Sequence, residues 1–105
     1  MATFAPKVLA DGQLPNAKAT LYTSPALTKT YTKQMRVFST GAAQTIVIYL
    51  NTTGTSRRYY QVVLEANESA DVFDEPLQLE AGDIIEGQSS NAATVDYIIT
   101  GVQEV

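Results

Sequence analysis

Thr45-Ile46-Val47-Ile48-Tyr49-Leu50 is the most apolar and most β-branched run in the chain. Gly41-Ala42-Ala43 precedes it and Asn51-Thr52-Thr53-Gly54 follows it. The run is too short for a helix of ordinary length, and branched side chains pack well on a pleated surface. It therefore predicts a central β-strand buried on at least one face.

The rest of the chain obeys the same period. Ala17–Thr23 alternates and ends at Ser24-Pro25, where the proline stops a ladder. Lys29–Ser39 is the longest alternating stretch. Its period puts Tyr31, Met35 and Val37 on one face, interrupted by Lys33, and Thr32, Gln34, Arg36 and Phe38 on the other. It leads through Thr40–Ala43 into Thr45–Leu50, and the two are expected to pair as an antiparallel hairpin. Arg58–Leu64, Ala70–Phe73, Leu77–Leu79, Ile84–Ser89 and Thr94–Val102 follow as short strands, separated by residues that favour turns. Gly82 is expected at positive φ, and Gly87 inside its strand implies a bulge or close packing. Short strands at steady spacing, with no amphipathic helix of useful length, mean a sandwich or a partly closed barrel.

Residues 1–16 lack a clean period. Phe4, Val8, Leu9 and Leu14 are apolar, while Pro6, Gly12 and Pro15 interrupt any ladder. The segment is expected to be an extended arm, residues 1–16, on a sandwich domain, residues 17–105. The arm's apolar side chains need a surface, either the body of the same chain or a neighbouring subunit.

Catalysis finds little to work with. There is no Cys, no His and no Trp among the 105 residues. Without His the usual general base near neutral pH is missing. A serine nucleophile would then need Lys7, Lys18, Lys29 or Lys33, and no Ser-x-x-Lys occurs. Glycines stand singly, so no phosphate-cradling loop is present. Asp71, Asp74 and Glu75, with Glu80 and Asp83 nearby, offer hard oxygen ligands, but their spacing matches no EF-hand loop. They are expected to be solvated acids beside turns, with no metal and no cofactor. Asn51-Thr52-Thr53 and Asn67-Glu68-Ser69 are expected to be turn residues rather than glycan acceptors. No apolar run approaches the roughly 18 residues of a membrane span. No signal-peptide pattern opens the chain, so assembly in a cytoplasm is the expectation.

Charge is divided along the chain. All seven basic residues lie within residues 1–58, beside a single acid, Asp11, whereas every other acid lies beyond residue 58. Net charge is −4 and the bases are scattered, which argues against nucleic acid as a partner. Two readings of the division stand: solvated faces, or complementary surfaces that meet between subunits. Arg57 and Arg58 beside an exposed tyrosine of the Tyr59-Tyr60 pair make a candidate contact patch.

Several stretches have a familiar form. Gln13-Leu14-Pro15 runs on to Leu21-Tyr22-Thr23-x-Pro25-Ala26. Thr40-Gly41-Ala42-Ala43 and Gly54-Thr55-Ser56-Arg57-Arg58 follow, then Leu64-Glu65-Ala66-Asn67-Glu68. Leu79-Glu80-Ala81-Gly82-Asp83-Ile84-Ile85 comes next, and Val95-Asp96-Tyr97 leads to Gly101-Val102. Together, over about residues 13–103, these resemble a group of small virion proteins of tailed bacteriophages. Leu27-Thr28-Lys29 departs from that group, which often has Gly-Lys-Thr there. The resemblance implies an all-β, antiparallel β-sandwich of about eight short strands, jelly-roll-like, with an extended N-terminal arm. It also implies a non-enzymatic building block of a particle. The first expectation is a head decoration protein, a homotrimer that binds the major capsid protein or another virion protein. Phe4, Val8, Leu9, Leu14, Arg57, Arg58 and Tyr59 are its candidate interface. A tail- or fibre-associated module for assembly or for receptor or carbohydrate binding is the alternative.

Overall fold

The computed structural model describes residues 4–41, 43–52, 54–73, 76–91 and 94–104, with side chains from residue 8 onward. Among the described residues nine strands follow in order: β1 (Phe4–Gln13), β2 (Ala19–Thr23), β3 (Lys29–Ser39), β4 (Gln44–Thr52), β5 (Thr55–Leu64), β6 (Ser69–Phe73), β7 (Gln78–Leu79), β8 (Ile84–Ser89) and β9 (Val95–Glu104). They build two antiparallel sheets. The front sheet runs β1-β9-β3-β6, with β7 also on β3, and the back sheet runs β2-β8-β4-β5. β6 and β7 lie along successive parts of one side of β3, so they act as a single interrupted strand.

The pairing is nested. β1 pairs with β9, β2 with β8, β3 with β6 and β7, and β4 with β5 at the centre. A long hairpin wound on itself in this way is a jelly roll. The expected β3–β4 hairpin does not form. β3 lies in the front sheet and β4 in the back one, so the intervening loop carries the chain across the core. β4 turns instead into β5, through a turn in which Gly54 takes a φ of 83°.

Residues 4–13 run as β1 along β9 of their own chain, so the surface beneath this segment is the front sheet. At its end the chain passes between the sheets. Leu14 N donates to Val95 O at 2.8 Å, and Ser89 N donates to Pro15 O at 2.9 Å. The Leu14 side chain is fully buried.

The core lies between the sheets. Leu14, Met35, Val37, Ile46, Ile48, Leu64, Val72, Phe73, Leu79, Ile85, Val95 and Ile99 fill it. Gly87 faces this core, and a Cβ there would meet the side chains of Leu21, Ile48 and Leu14. The glycine is the space those three side chains use. One end of the interior is polar. The Tyr22 hydroxyl accepts from Gln103 Nε2 at 2.7 Å and shares a hydrogen bond with Thr30 Oγ1 at 3.0 Å. Ser24 Oγ joins Thr30 Oγ1 at 2.9 Å. This network links the two sheets while satisfying groups that burial would otherwise penalise.

Four edge strands each carry one extra residue, while the two-residue β7 carries none. Leu9 in β1, Leu21 in β2, Tyr59 in β5 and Val72 in β6 all stand where the register shifts. A bulge lets two neighbouring side chains serve the same side of a strand. Leu9 and Leu21 pack against the core from one open side of the sandwich, and Val72 is buried at the other. A fifth bulge, at Lys33 in β3, changes the phase of that strand. Thr30, Thr32, Met35 and Val37 are buried, while Tyr31 pairs with Val102 on the outer face. Tyr31 therefore does not share a face with Met35 and Val37, because the alternation restarts at Lys33.

Candidate interface on the sandwich faces

Side chains of paired residues share a face of the sheet. On the outer face of the front sheet, Val8 pairs with Thr100, Asp11 with Ile98, and Gln13 with Asp96. Ile98 also pairs with Arg36, and Asp96 with Phe38. Val8, Ile98 and Phe38 are thus diagonal neighbours on β1, β9 and β3, about 7–8 Å apart step to step. They are 50%, 40% and 37% exposed. Three large apolar side chains make a diagonal stripe across this face.

Charges flank the stripe. Asp11 and Asp96 stand on its β1–β9 side, and Asp96 Oδ1 accepts from Gln13 Nε2 at 3.2 Å. On the β3–β6 side Arg36 Nε meets Asp71 Oδ1 at 3.0 Å, and Gln34 Nε2 reaches the same oxygen at 3.0 Å. The Arg36 hydrogen bond is the main reason that the Asp71 carboxyl is held below its usual range. Further along, Lys29 lies opposite Glu104, which accepts from the Tyr31 hydroxyl at 2.9 Å.

The back sheet presents a different surface. Thr20, Glu86, Tyr49 and Arg58 form one row across β2, β8, β4 and β5. Lys18 Nζ sits 4.8 Å from the Tyr49 ring centroid and donates to Ser56 Oγ at 3.2 Å. Arg58 Nη1 donates to Gln61 Oε1 at 2.9 Å. Glu86 Oε1 is sequestered from solvent without a hydrogen-bond partner. Val63 projects from β5 at 59% exposure.

The expected contact residues are dispersed. Val8 lies in the stripe, and Arg58 lies in the back-sheet row. Arg57 is exposed on β5. Phe4 lies in β1 opposite Glu104, and its side chain falls outside the described residues. Leu14 is a correction: it is fully buried between the sheets and has no surface to offer a partner. Leu9 is likewise turned inward, because the bulge at that position aims it at the core beside Gly101. Tyr59 spends one side of its ring on Phe73. Ile98 and Phe38 were missed. Two signals pointed to them: Phe38 is apolar in a phase that is otherwise polar, and of the adjacent Ile98 and Ile99 only one can face the core.

The acids weighed as cation ligands have other work. Asp71 is engaged by Arg36 and Gln34. Asp83 Oδ2 accepts from Glu80 N at 2.9 Å and closes its own turn. Asp74 and Glu75 lie outside the described residues.

No family model matches the chain, and no curated protein matches it. Solved structures do. A chain from Bacillus endospore appendages, which form a family of disulfide-linked pili, aligns over 98% of this chain and 88% of its own length. Its TM-score is 0.54 at 17% identity. A chain of infectious bursal disease virus, Gx strain, aligns over 99% of this chain with a TM-score of 0.53 at 10% identity. This chain spans about a third, 32%, of that viral chain. The sandwich fold is therefore shared with a component of a pilus and with part of a virus particle.

Proposed function

We propose that this chain is a non-enzymatic structural protein of a tailed-phage particle, a decoration protein that binds the head exterior and bridges neighbouring subunits. It acts in the virion after assembly in the host cytoplasm, as a homo-oligomer, a trimer in the first instance, on the major capsid protein or another virion protein. The observation that carries this reading is the stripe of Val8, Ile98 and Phe38 on the outer face of the front sheet. The fold it shares with pilus and virus chains, and the resemblance of its turns to phage virion proteins, support the same direction.

Magnitudes define how such a protein must work. Full burial of a Val, Ile or Phe side chain contributes about 1.5–3 kcal/mol, and these three have already buried half or more of their surface. Covering the rest contributes roughly 2–4 kcal/mol in total, less than the cost of immobilising a free chain. One copy therefore holds weakly, and linked copies hold by avidity.

The test is occupancy on purified heads that lack the protein, measured by co-sedimentation. Saturable binding that is lost in Ile98→Asp and Val8→Asp is the expected result. Absence of binding by the wild-type chain overturns the reading. Deleting the first fifteen residues is not a clean test, because it removes β1 and the buried Leu14 together.

A second reading draws on the back sheet. Tyr49 stands there among Asn51, Gln61 and Gln88, a mixture of ring and amides that suits sugar hydroxyls. It corresponds to a tail- or fibre-associated module. A specific signal on a glycan array, abolished by Tyr49→Ala, would favour it over head binding.

A further inference from the structure

We infer that copies of this chain associate by a heterologous contact, in which the outer face of the front sheet in one copy packs on the outer face of the back sheet in the next. The inference deepens the oligomer part of the proposed function, with the stripe serving the contact between copies and head occupancy following from the avidity of the oligomer, and it rests on the chain being an assembly component. The observation behind it is electrostatic. Beside the Val8–Ile98–Phe38 stripe stand Asp11 and Asp96, both exposed. On the back-sheet face the exposed charges are Lys18 and Arg58, with the exposed Val63 further along β5. Among the described residues the one ion pair is Arg36–Asp71, so none of these four charges has an opposite charge within bridging distance. Arg36 is held by Asp71 and Lys29 lies across from Glu104, while Lys33, exposed at the β3 bulge, stands without an ion pair among the described residues. Glu86 shares the back face but is half-buried in its row.

Packing the stripe on its own copy meets repulsion about either axis of the sheet, and an axis along the stripe itself sets Asp96 over Arg36, whose charge Asp71 already holds. A two-fold axis through Ile98 that runs along the strands lays Asp96 on Asp96. One that runs across the strands lays Asp11 on Asp11 and Arg36 on Arg36. Packing front on back instead sets Asp11 and Asp96 against Lys18 and Arg58 and covers Val8, Ile98, Phe38 and Val63 together. Opposite charge across such a contact sets register and suppresses the wrong arrangement. A heterologous contact closes into a ring when its rotation allows, and a three-membered ring is one such closure.

The experiment uses the full chain in analytical ultracentrifugation, with circular dichroism as a check on folding. All four charged side chains are exposed, so reversing them leaves the core intact. The wild-type chain is expected to self-associate. Asp11→Lys with Asp96→Lys, and separately Lys18→Glu with Arg58→Glu, should each lower the association constant by at least about tenfold. A chain with all four reversals should recover it. A monomeric wild type, a face whose reversal changes nothing, or a four-fold variant that stays monomeric each overturns the inference. Head occupancy is read in a separate assay. Wild-type oligomers that ignore heads sink the head reading alone, and head binding by a monomer sinks this one alone.

Discussion

The Tyr59 ring meets the Phe73 ring edge-on, with centroids 6.1 Å apart and planes at 76°. Tyr59 is the extra residue of the β5 bulge in the back sheet, and Phe73 ends β6 in the front sheet. The pair therefore bolts the two sheets together along one open side. Edge-to-face pairs are worth about 0.5–1.5 kcal/mol beyond the area they bury. A double-mutant cycle of Tyr59→Ala and Phe73→Ala should return a coupling of that size in urea denaturation. Phe73→Ala alone should cost about 3–5 kcal/mol, because Phe73 is 4% exposed. Coupling near zero would mean that the rings are neighbours without consequence.

Two glycines respond differently to an added methyl. At Gly101 a Cβ would run into the Tyr31 carbonyl oxygen and the Thr32 Cα, which belong to the backbone of the adjacent strand. At Gly87 it would meet the ends of the Leu21 and Ile48 side chains, which can rotate. Gly101→Ala should destabilise by about 3 kcal/mol and Gly87→Ala by roughly half of that. Thermal melts of the two variants check the order.

Leu27 holds a φ of 58° at the tip of the β2–β3 turn and is 94% exposed. A leucine there bears left-handed strain, and so exposed a side chain leaves little packing to set against it. Leu27→Gly should raise stability by up to about 1 kcal/mol, since the added chain entropy of glycine offsets part of the relief. A lower denaturation midpoint would show that the leucine packs on something.

Arg36 holds the Asp71 carboxyl below its ordinary pKa, chiefly through its hydrogen bond. A depressed folded pKa stabilises above the unfolded value, about 3.9, and the effect is lost as pH falls through the folded one. The Arg36–Asp71 contribution should therefore be level from neutral pH to about pH 4 and fade below it. Asp71→Asn should remove that part of the acid limb in melts recorded from pH 7 to pH 2. Salt should weaken the same contribution, because the pair is exposed.

Strand positions were legible because turn residues bound them. Lys29–Ser39 and Ile84–Ser89 match β3 and β8 from end to end. Partners were not legible, because a period of two suits any neighbour, and the jelly roll pairs β3 with β9, β6 and β7 rather than with β4. Bulges hid the rest. The extra residue at Lys33 moved Tyr31 to the outer face, and the one at Leu9, beside Pro6 and Gly12, broke the alternation that marks a strand. The stripe itself joins residues 8, 38 and 98, which only the nested pairing brings together. Val8 was found as an isolated apolar residue, but no local pattern could attach it to Ile98.

The four bulged margins have a consequence for crowding. A straight, unpaired strand offers its free amides and carbonyls to any identical neighbour, and chains held close together would zip into fibres through it. Here β1, β2, β5 and β6 are each kinked by one residue, with Arg57, Arg58 and Asp71 beside two of the kinks, and the remaining edge strand, β7, is two residues long. Such a chain can be displayed at high local density and still meet its neighbours by its broad surfaces. Removing Tyr59 outright, and so straightening β5, would trade that tolerance for a template.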